Sequence, residues 1–131
     1  MYPIWGWYIY NGLHRKPDLR YSGHGEQMAC IELEIPDNNV LLSNFDLWYY
    51  VLNNWYIGDS INEEELDAEW EWLDELSSQE KQDVIEKSWD KIFSIKKPLN
   101  NGFNSSGKYI QGTSWKLKLN EVRKVQIFNA R

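Results

Sequence analysis

Eight tryptophans are the strongest constraint on what this chain can fold into. Each ring needs a large apolar seat, and each buried indole N–H needs an acceptor. Their positions divide the chain. Trp5 and Trp7 lie in YPIWGWYIY, and Trp48 and Trp55 in LLSNFDLWYYVLNNWYI. Trp70, Trp72 and Trp89 lie in an acidic middle, and Trp115 in YIQGTSWKLKL. Aromatic side chains therefore dominate the core of a chain whose 131 residues suit one folded unit, residues 1–131.

Local patterning assigns the elements. Tyr2–Tyr10 is rich in aromatic and β-branched residues and is predicted as a strand stopped by Asn11-Gly12. CIELEIP alternates Ile31, Leu33 and Ile35 against Glu32 and Glu34, which predicts a half-buried strand ending at Pro36. VLLS follows as a short strand. Ser43 or Asn44 then caps a helix through Asn54, with Leu47 and Val51 on one face and Trp48, Leu52 and Trp55 on the next. A helix apolar on both faces is expected to be mostly buried.

Two helices fill the middle. Ser60–Glu63 and Ser77–Glu80 each have capping-box spacing. The first helix carries a stripe of Leu66, Trp70, Leu73 and Leu76; the second carries Ile85, Trp89 and Ile92. With a very short link they form an αα-hairpin over residues 59–97, ended by Pro98. Pro98–Lys108 reads as a flexible polar loop. After it, Tyr109, Gln111, Thr113, Trp115, Leu117 and Leu119 alternate against Gly112, Ser114, Lys116 and Lys118, and VRKVQIF forms a last strand. Strands at both ends and helices between them predict an α+β fold. Its sheet is twisted and mainly antiparallel or mixed, packed by the aromatic helix and the acidic hairpin.

Charge is unevenly spread. The formal net charge is −6, but residues 59–91 carry thirteen acidic and three basic side chains, whereas residues 92–131 carry one and eight. The ordinary reading is a pair of solvated faces that attract each other within the fold. No membrane-length apolar run and no signal peptide are visible, and the lone Cys30 excludes an internal disulfide, so a cytoplasmic location is expected. Cys30 itself is expected as a small buried strand residue.

The motifs PIWGWY, KPDLR, IELEIPDNNVLLSNFDLWYYVLNNWYI, KSWDKIF and YIQGTSWKLKLNEVRKVQIFNAR together resemble a bacterial and phage family, number thirty-eight forty-one of the domains of unknown function. The resemblance spans nearly the whole chain and carries no assigned activity. It implies a further N-terminal segment, a strand and helices, ahead of PIWGW. A function needing a residue from that segment is then absent here or supplied by another chain.

Phosphate loops, paired-cysteine zinc spacing and hydrolase elbows are missing, and no metal or other cofactor is expected. His14 and His24 fall in loops; His24-Gly25-Glu26 is a weak candidate for a base beside a carboxylate. Lys108, Lys116, Lys118, Arg123 and Lys124, with Phe103 and Tyr109, would make a basic aromatic surface for single-stranded nucleic acid, but lysine on a sheet's solvent face is ordinary edge protection. An ADP-ribosyltransferase-like layout would give a nucleotide contact to Trp7 or Tyr8 and place Gln111, Thr113 and Trp115 on the late strand. Gln111 then stands where that fold needs a carboxylate, and a core or rim role for these residues is the simpler reading.

The leading expectation is a binding surface. Glu64, Glu65, Glu69, Glu71 and Glu75 lie on a helix whose other stripe is apolar, and Trp72 at the margin of that stripe has the character of an interface anchor. Such a surface suits a basic protein partner, for instance the nucleic-acid-binding groove of a host defence enzyme, engaged by a small inhibitor. The bland alternative is a solvated helix with Trp72 packed on the body.

Overall fold

The structure is a computed structural model that describes residues 2–14, 16–18, 20, 24–95, 100–101, 104–105 and 108–131. The fold is α+β, and every strand pairing among the described residues is antiparallel. The elements run in the order β1 (Ile4–Ile9), β2 (Gln27–Leu33), β3 (Leu41–Asn44), α1 (Trp48–Leu52), α2 (Glu63–Glu75), α3 (Ser78–Ser88), β4 (Asn100–Asn101), β5 (Asn104–Ser105), β6 (Ile110–Ser114) and β7 (Val122–Asn129). A 3-10 turn, Trp89–Phe93, prolongs α3. The strands form a three-stranded sheet, β1-β6-β3, a two-stranded ribbon, β2-β7, and the two-residue pair β4-β5. That last pair lies within Pro98–Lys108, whose remaining residues, Lys108 apart, fall outside the described ones.

β1 ends where the sequence places its turn. Asn11 and Gly12 both take positive φ, 51° and 77°, and Tyr10 and Leu13 exchange backbone hydrogen bonds across them. Asparagine and glycine are the residues that tolerate this mirror-image turn. Asn44 accepts from the backbone N–H of Leu47 at 3.2 Å, so it caps the turn that leads into α1. The helix itself is one short run, and only part of it is covered. Leu47 is fully buried, whereas Leu52 lies in solvent. The expected two-faced burial is corrected: five helical residues turn Leu52 away from the core before anything reaches it.

Strand faces also differ from expectation. In β2 the partly covered residues are Met28, Cys30 and Leu33, and Ile31 is exposed opposite Val125 on β7. A register shift between Glu32 and Leu33 breaks the alternation that would have put Ile31 and Leu33 on one face. In β6, Ile110 and Ser114 are buried, although the alternation put Ser114 outward. β6 is paired along both edges as the central strand, and Ile110 and Ser114, four residues apart, share one face, so the alternation holds with its buried face reversed. Trp115 falls just past its end and is 64% exposed.

The core sits between α1, the segment after it and the end of α3. Leu47, Ile57 and Ile92 form its centre, with Trp48, Tyr50, Val51 and Trp89 packed around them. The segment Asn54–Asp59 has no regular structure; its first N–H groups, of Asn54 and Trp55, donate to carbonyls of α1, and side chains from α3 and its 3-10 extension supply further hydrogen bonds. Gln82 and Asn54 exchange amide hydrogen bonds of 2.9 and 3.0 Å, and Trp89 Nε1 donates to the Trp55 carbonyl at 2.9 Å. Ser88 Oγ accepts from the Ile57 N–H at 2.9 Å, and Lys91 Nζ donates to the Ile57 carbonyl at 2.8 Å. Where such an irregular segment enters the core, as at Ile57, its backbone groups must be satisfied in this way.

Candidate functional site

α2 starts two residues later than its capping-box spacing predicts. Asn62, not Ser60, is the cap: its Oδ1 accepts from Glu65 N at 2.9 Å, and Glu65 Oε2 accepts from Ile61 N at 2.9 Å. Three glutamates in the first turn, Glu63, Glu64 and Glu65, suit the positive end of the helix dipole. At the other end, Ser77 and Glu80 form the capping box of α3 as expected. Those hydrogen bonds hold the Glu80 carboxyl below its ordinary range.

With about 100° per residue, α2 presents two different surfaces. Leu73, fully buried, marks the inward line, with Leu66 and Leu76 partly covered beside it. Glu64, Glu71 and Glu75 fall within about 20° of the opposite line and run for roughly 16 Å along the helix. All three are exposed. The remaining acids of the sequence-derived set have local roles. Glu65 is committed to the helix cap, and Glu69, about 40° from Leu73, turns inward. Its carboxylate lies against Gly58, so closely that a Cβ built there would be 2.0 Å from Glu69 Oε1.

Trp72 does not stand apart as the sequence implied. It is 43% exposed and meets Tyr56 edge-on at 5.9 Å, while Trp70 is 46% exposed and Trp55 49%. Neither expected stripe buries its tryptophan: α1 ends at Leu52, before Trp55, and α2 turns Trp70 toward the irregular Trp55–Ser60 segment instead of a flat neighbour. Between the two lies a cleft of about 230 Å³, lined by Tyr50, Trp55, Tyr56, Gly58, Ser60, Leu66, Glu69, Trp70 and Leu73. Sequence reading missed this grouping. Its one legible signal was a carboxylate, Glu69, inside the apolar arc of a helix otherwise acidic only outside it.

Charge within the hairpin is only partly neutralised. Lys81 pairs with Asp74 at 2.7 Å and Lys91 with Asp59 at 3.0 Å. In the basic C-terminal part, Arg123 pairs with Glu34 at 2.6 Å. Among the described residues no ion pair joins residues 59–91 to residues 92–131, so the expected attraction between the two blocks makes no direct contact.

The alternative nucleotide set is brought together only in part. Trp7 and Gln111 are register partners on β1 and β6, and Thr113 pairs with Trp5. Trp7 sits in an aromatic cluster with Trp5, Tyr10, Phe45 and Tyr109 at 4.9–6.1 Å. Gln111 Nε2 and Trp48 Nε1 both donate to Ser43 Oγ, at 3.2 and 3.1 Å. Tyr8 lies on the other face of β1, edge-on to His14 at 4.5 Å, and Trp115 is beyond the strand. The histidines stay apart: His24 Nδ1 lies 3.2 Å from the Arg131 carbonyl oxygen. Of the basic aromatic group, Phe103 lies outside the described residues. Cys30 is half-buried, and no cluster of metal-ligating side chains occurs among the described residues. No helix among them is long and apolar enough to cross a membrane.

The sequence pattern described as Domain of unknown function (DUF3841) matches residues 1–123. The chain belongs to this family. No curated protein and no solved structure matches it. Membership therefore agrees with the motif resemblance and leaves function to the geometry of this DUF3841 chain.

Proposed function

We propose that this chain is a non-catalytic binding module that engages a basic protein surface through the outward ridge of α2. The observation that carries the reading is the ridge itself: Glu64, Glu71 and Glu75 are exposed on one line, and two of the three lysines in residues 59–91, Lys81 and Lys91, pair with Asp74 and Asp59 and not with the ridge. An uncompensated row of carboxylates steers a cationic partner during encounter and selects against acidic ones. Trp70 and Trp72, half-exposed on the flanks of the helix, add aromatic area of the kind that anchors interfaces. A small phage or mobile-element inhibitor that covers the nucleic-acid-binding face of a host defence protein would use such a surface.

Affinity capture on immobilised protein tests the reading, comparing wild type with the triple variant Glu64→Lys, Glu71→Lys, Glu75→Lys. A basic partner held by the wild type and released by the variant supports it. An identical set of captured proteins from both, or none from the wild type, contradicts it. Circular dichroism confirms that the variant keeps its helices.

A second reading, an ADP-ribosyltransferase-like nucleotide binder, draws support from the pairing of Trp7 with Gln111. The commitment of the Gln111 amide to Ser43 weighs against it. A thermal-shift screen with NAD and nucleotides that stays flat removes it.

A further inference from the structure

The cleft between α2 and Trp55–Ser60 has a composition that neither a core nor a solvated surface requires. Four aromatic side chains, Tyr50, Trp55, Tyr56 and Trp70, line it together with one carboxylate, Glu69. The Tyr50 and Trp55 rings stand 5.9 Å apart and nearly perpendicular, at 83°. Trp55 and Trp70 keep about half of their surface in solvent, so the cleft is open to an incoming group. Aromatic faces carry negative electrostatic potential and attract cations, most strongly where water is partly excluded.

The surroundings are negative as well. The Tyr56 hydroxyl is held above its ordinary pKa, first by burial and then by the charges of Glu69 and Asp59. Gly58 is what lets the Glu69 carboxylate lie at the wall, since any larger residue would displace it. The same segment already holds one ammonium. Lys91 Nζ donates to the Ile57 carbonyl and to Asp59, and stands 5.8 Å from the Tyr56 ring centre, outside the cleft lining.

We infer that this cleft receives the lysine ammonium of a basic partner protein, with Glu69 accepting its N–H groups and the aromatic rings enclosing its stem and head. The inference rests on the proposed function and names the group the partner presents. Lysine fits better than arginine because rings set at right angles enclose a compact head, whereas a planar guanidinium favours stacking on parallel faces. A volume of about 230 Å³ admits one long side chain and excludes a folded element.

The test follows the indole N–H signals of the full-length protein by nitrogen-15 NMR during titration with a blocked Gly-Lys-Gly peptide. Matching norleucine and arginine peptides serve as controls. The Trp55 and Trp70 signals are expected to shift with the lysine peptide, while that of Trp115, just past the end of β6, stays in place. Glu69→Gln, which keeps the shape, should weaken the response about tenfold, the loss of one charge-assisted contact. Equal shifts with the norleucine peptide, stronger binding of the arginine peptide, or an unchanged affinity in Glu69→Gln would overturn the inference. The ridge variant at Glu64, Glu71 and Glu75 separates the two ideas. If it abolishes partner capture while Trp55 and Trp70 still respond to lysine, both stand. If capture depends on the ridge but Glu69→Gln has no effect on the lysine response, the cleft inference falls alone. A lysine response that needs Glu69, in a protein whose ridge variant captures normally, keeps the cleft and discards the ridge.

Discussion

Ser88→Ala should cost this protein more stability than its size implies. Ser88 is 7% exposed; its hydroxyl donates to the Ile85 carbonyl at 2.6 Å and accepts from the Ile57 N–H at 2.9 Å. The Ile85 carbonyl, in the last turn of α3, loses the hydroxyl as a donor. Ile57 is different: it is completely buried in the core cluster, and alanine leaves its N–H without an acceptor. An unsatisfied buried donor costs about 1–3 kcal/mol. For a chain of this length, that lowers the melting temperature by roughly 3–10 °C. Urea titration by circular dichroism and tryptophan fluorescence measures it, with the slope expected to stay constant. A loss below about 0.5 kcal/mol would mean that α3 does not hold the Trp55–Ser60 segment through Ser88, and the cleft would lose its stated support.

Three further outcomes follow from the packing and the ionisable groups. Leu47→Ala should destabilise by about 2–5 kcal/mol because Leu47 is buried at the centre of the core; Leu52→Ala, in solvent on the same helix, should change stability by no more than about 0.5 kcal/mol, and similar losses from both would refute the one-sided burial of α1. Tyr56, whose pKa is raised by burial ahead of Glu69 and Asp59, should ionise later than an ordinary tyrosine in an ultraviolet titration. Its contribution to stability is complete below the unfolded value near ten and is lost as pH rises through the higher folded value. Tyr56→Phe should remove that late step, and its persistence would contradict the assignment. Ser77→Ala removes the α3 cap and should cost about 1 kcal/mol. It should also let the Glu80 carboxyl return toward its ordinary pKa, which carbon-13 NMR would follow.

The sequence was most readable where one local rule acts alone. Asn11-Gly12 can only turn, Ser77 and Glu80 satisfy each other across one helical turn, and both were placed from spacing. The α+β class followed from strands that flank helices. Errors arose where tertiary partners choose the face. The shift in the β2–β7 register reversed the expectation for Ile31, and packing buried the face of β6 that carries Ile110 and Ser114 instead of the one expected. A short α1 exposed Leu52. The site divides in the same way. The outward acids Glu64, Glu71 and Glu75 were legible from helical period, because nothing else packs there. The aromatic cleft was not, since Tyr50, Trp55 and Tyr56 reach α2 only through a segment whose path depends on Ser88, Trp89 and Lys91.

The role of the ridge is tested most directly by the salt dependence of binding between wild-type protein and its captured partner, beside the variant reversed at Glu64, Glu71 and Glu75. Carboxylates that meet a basic surface should lose affinity steadily as salt rises from low to physiological strength. The expected result is a steep salt dependence in the wild type that the variant abolishes along with most of the affinity. Equal affinity and equal salt dependence in the two proteins would contradict the binding role given to α2.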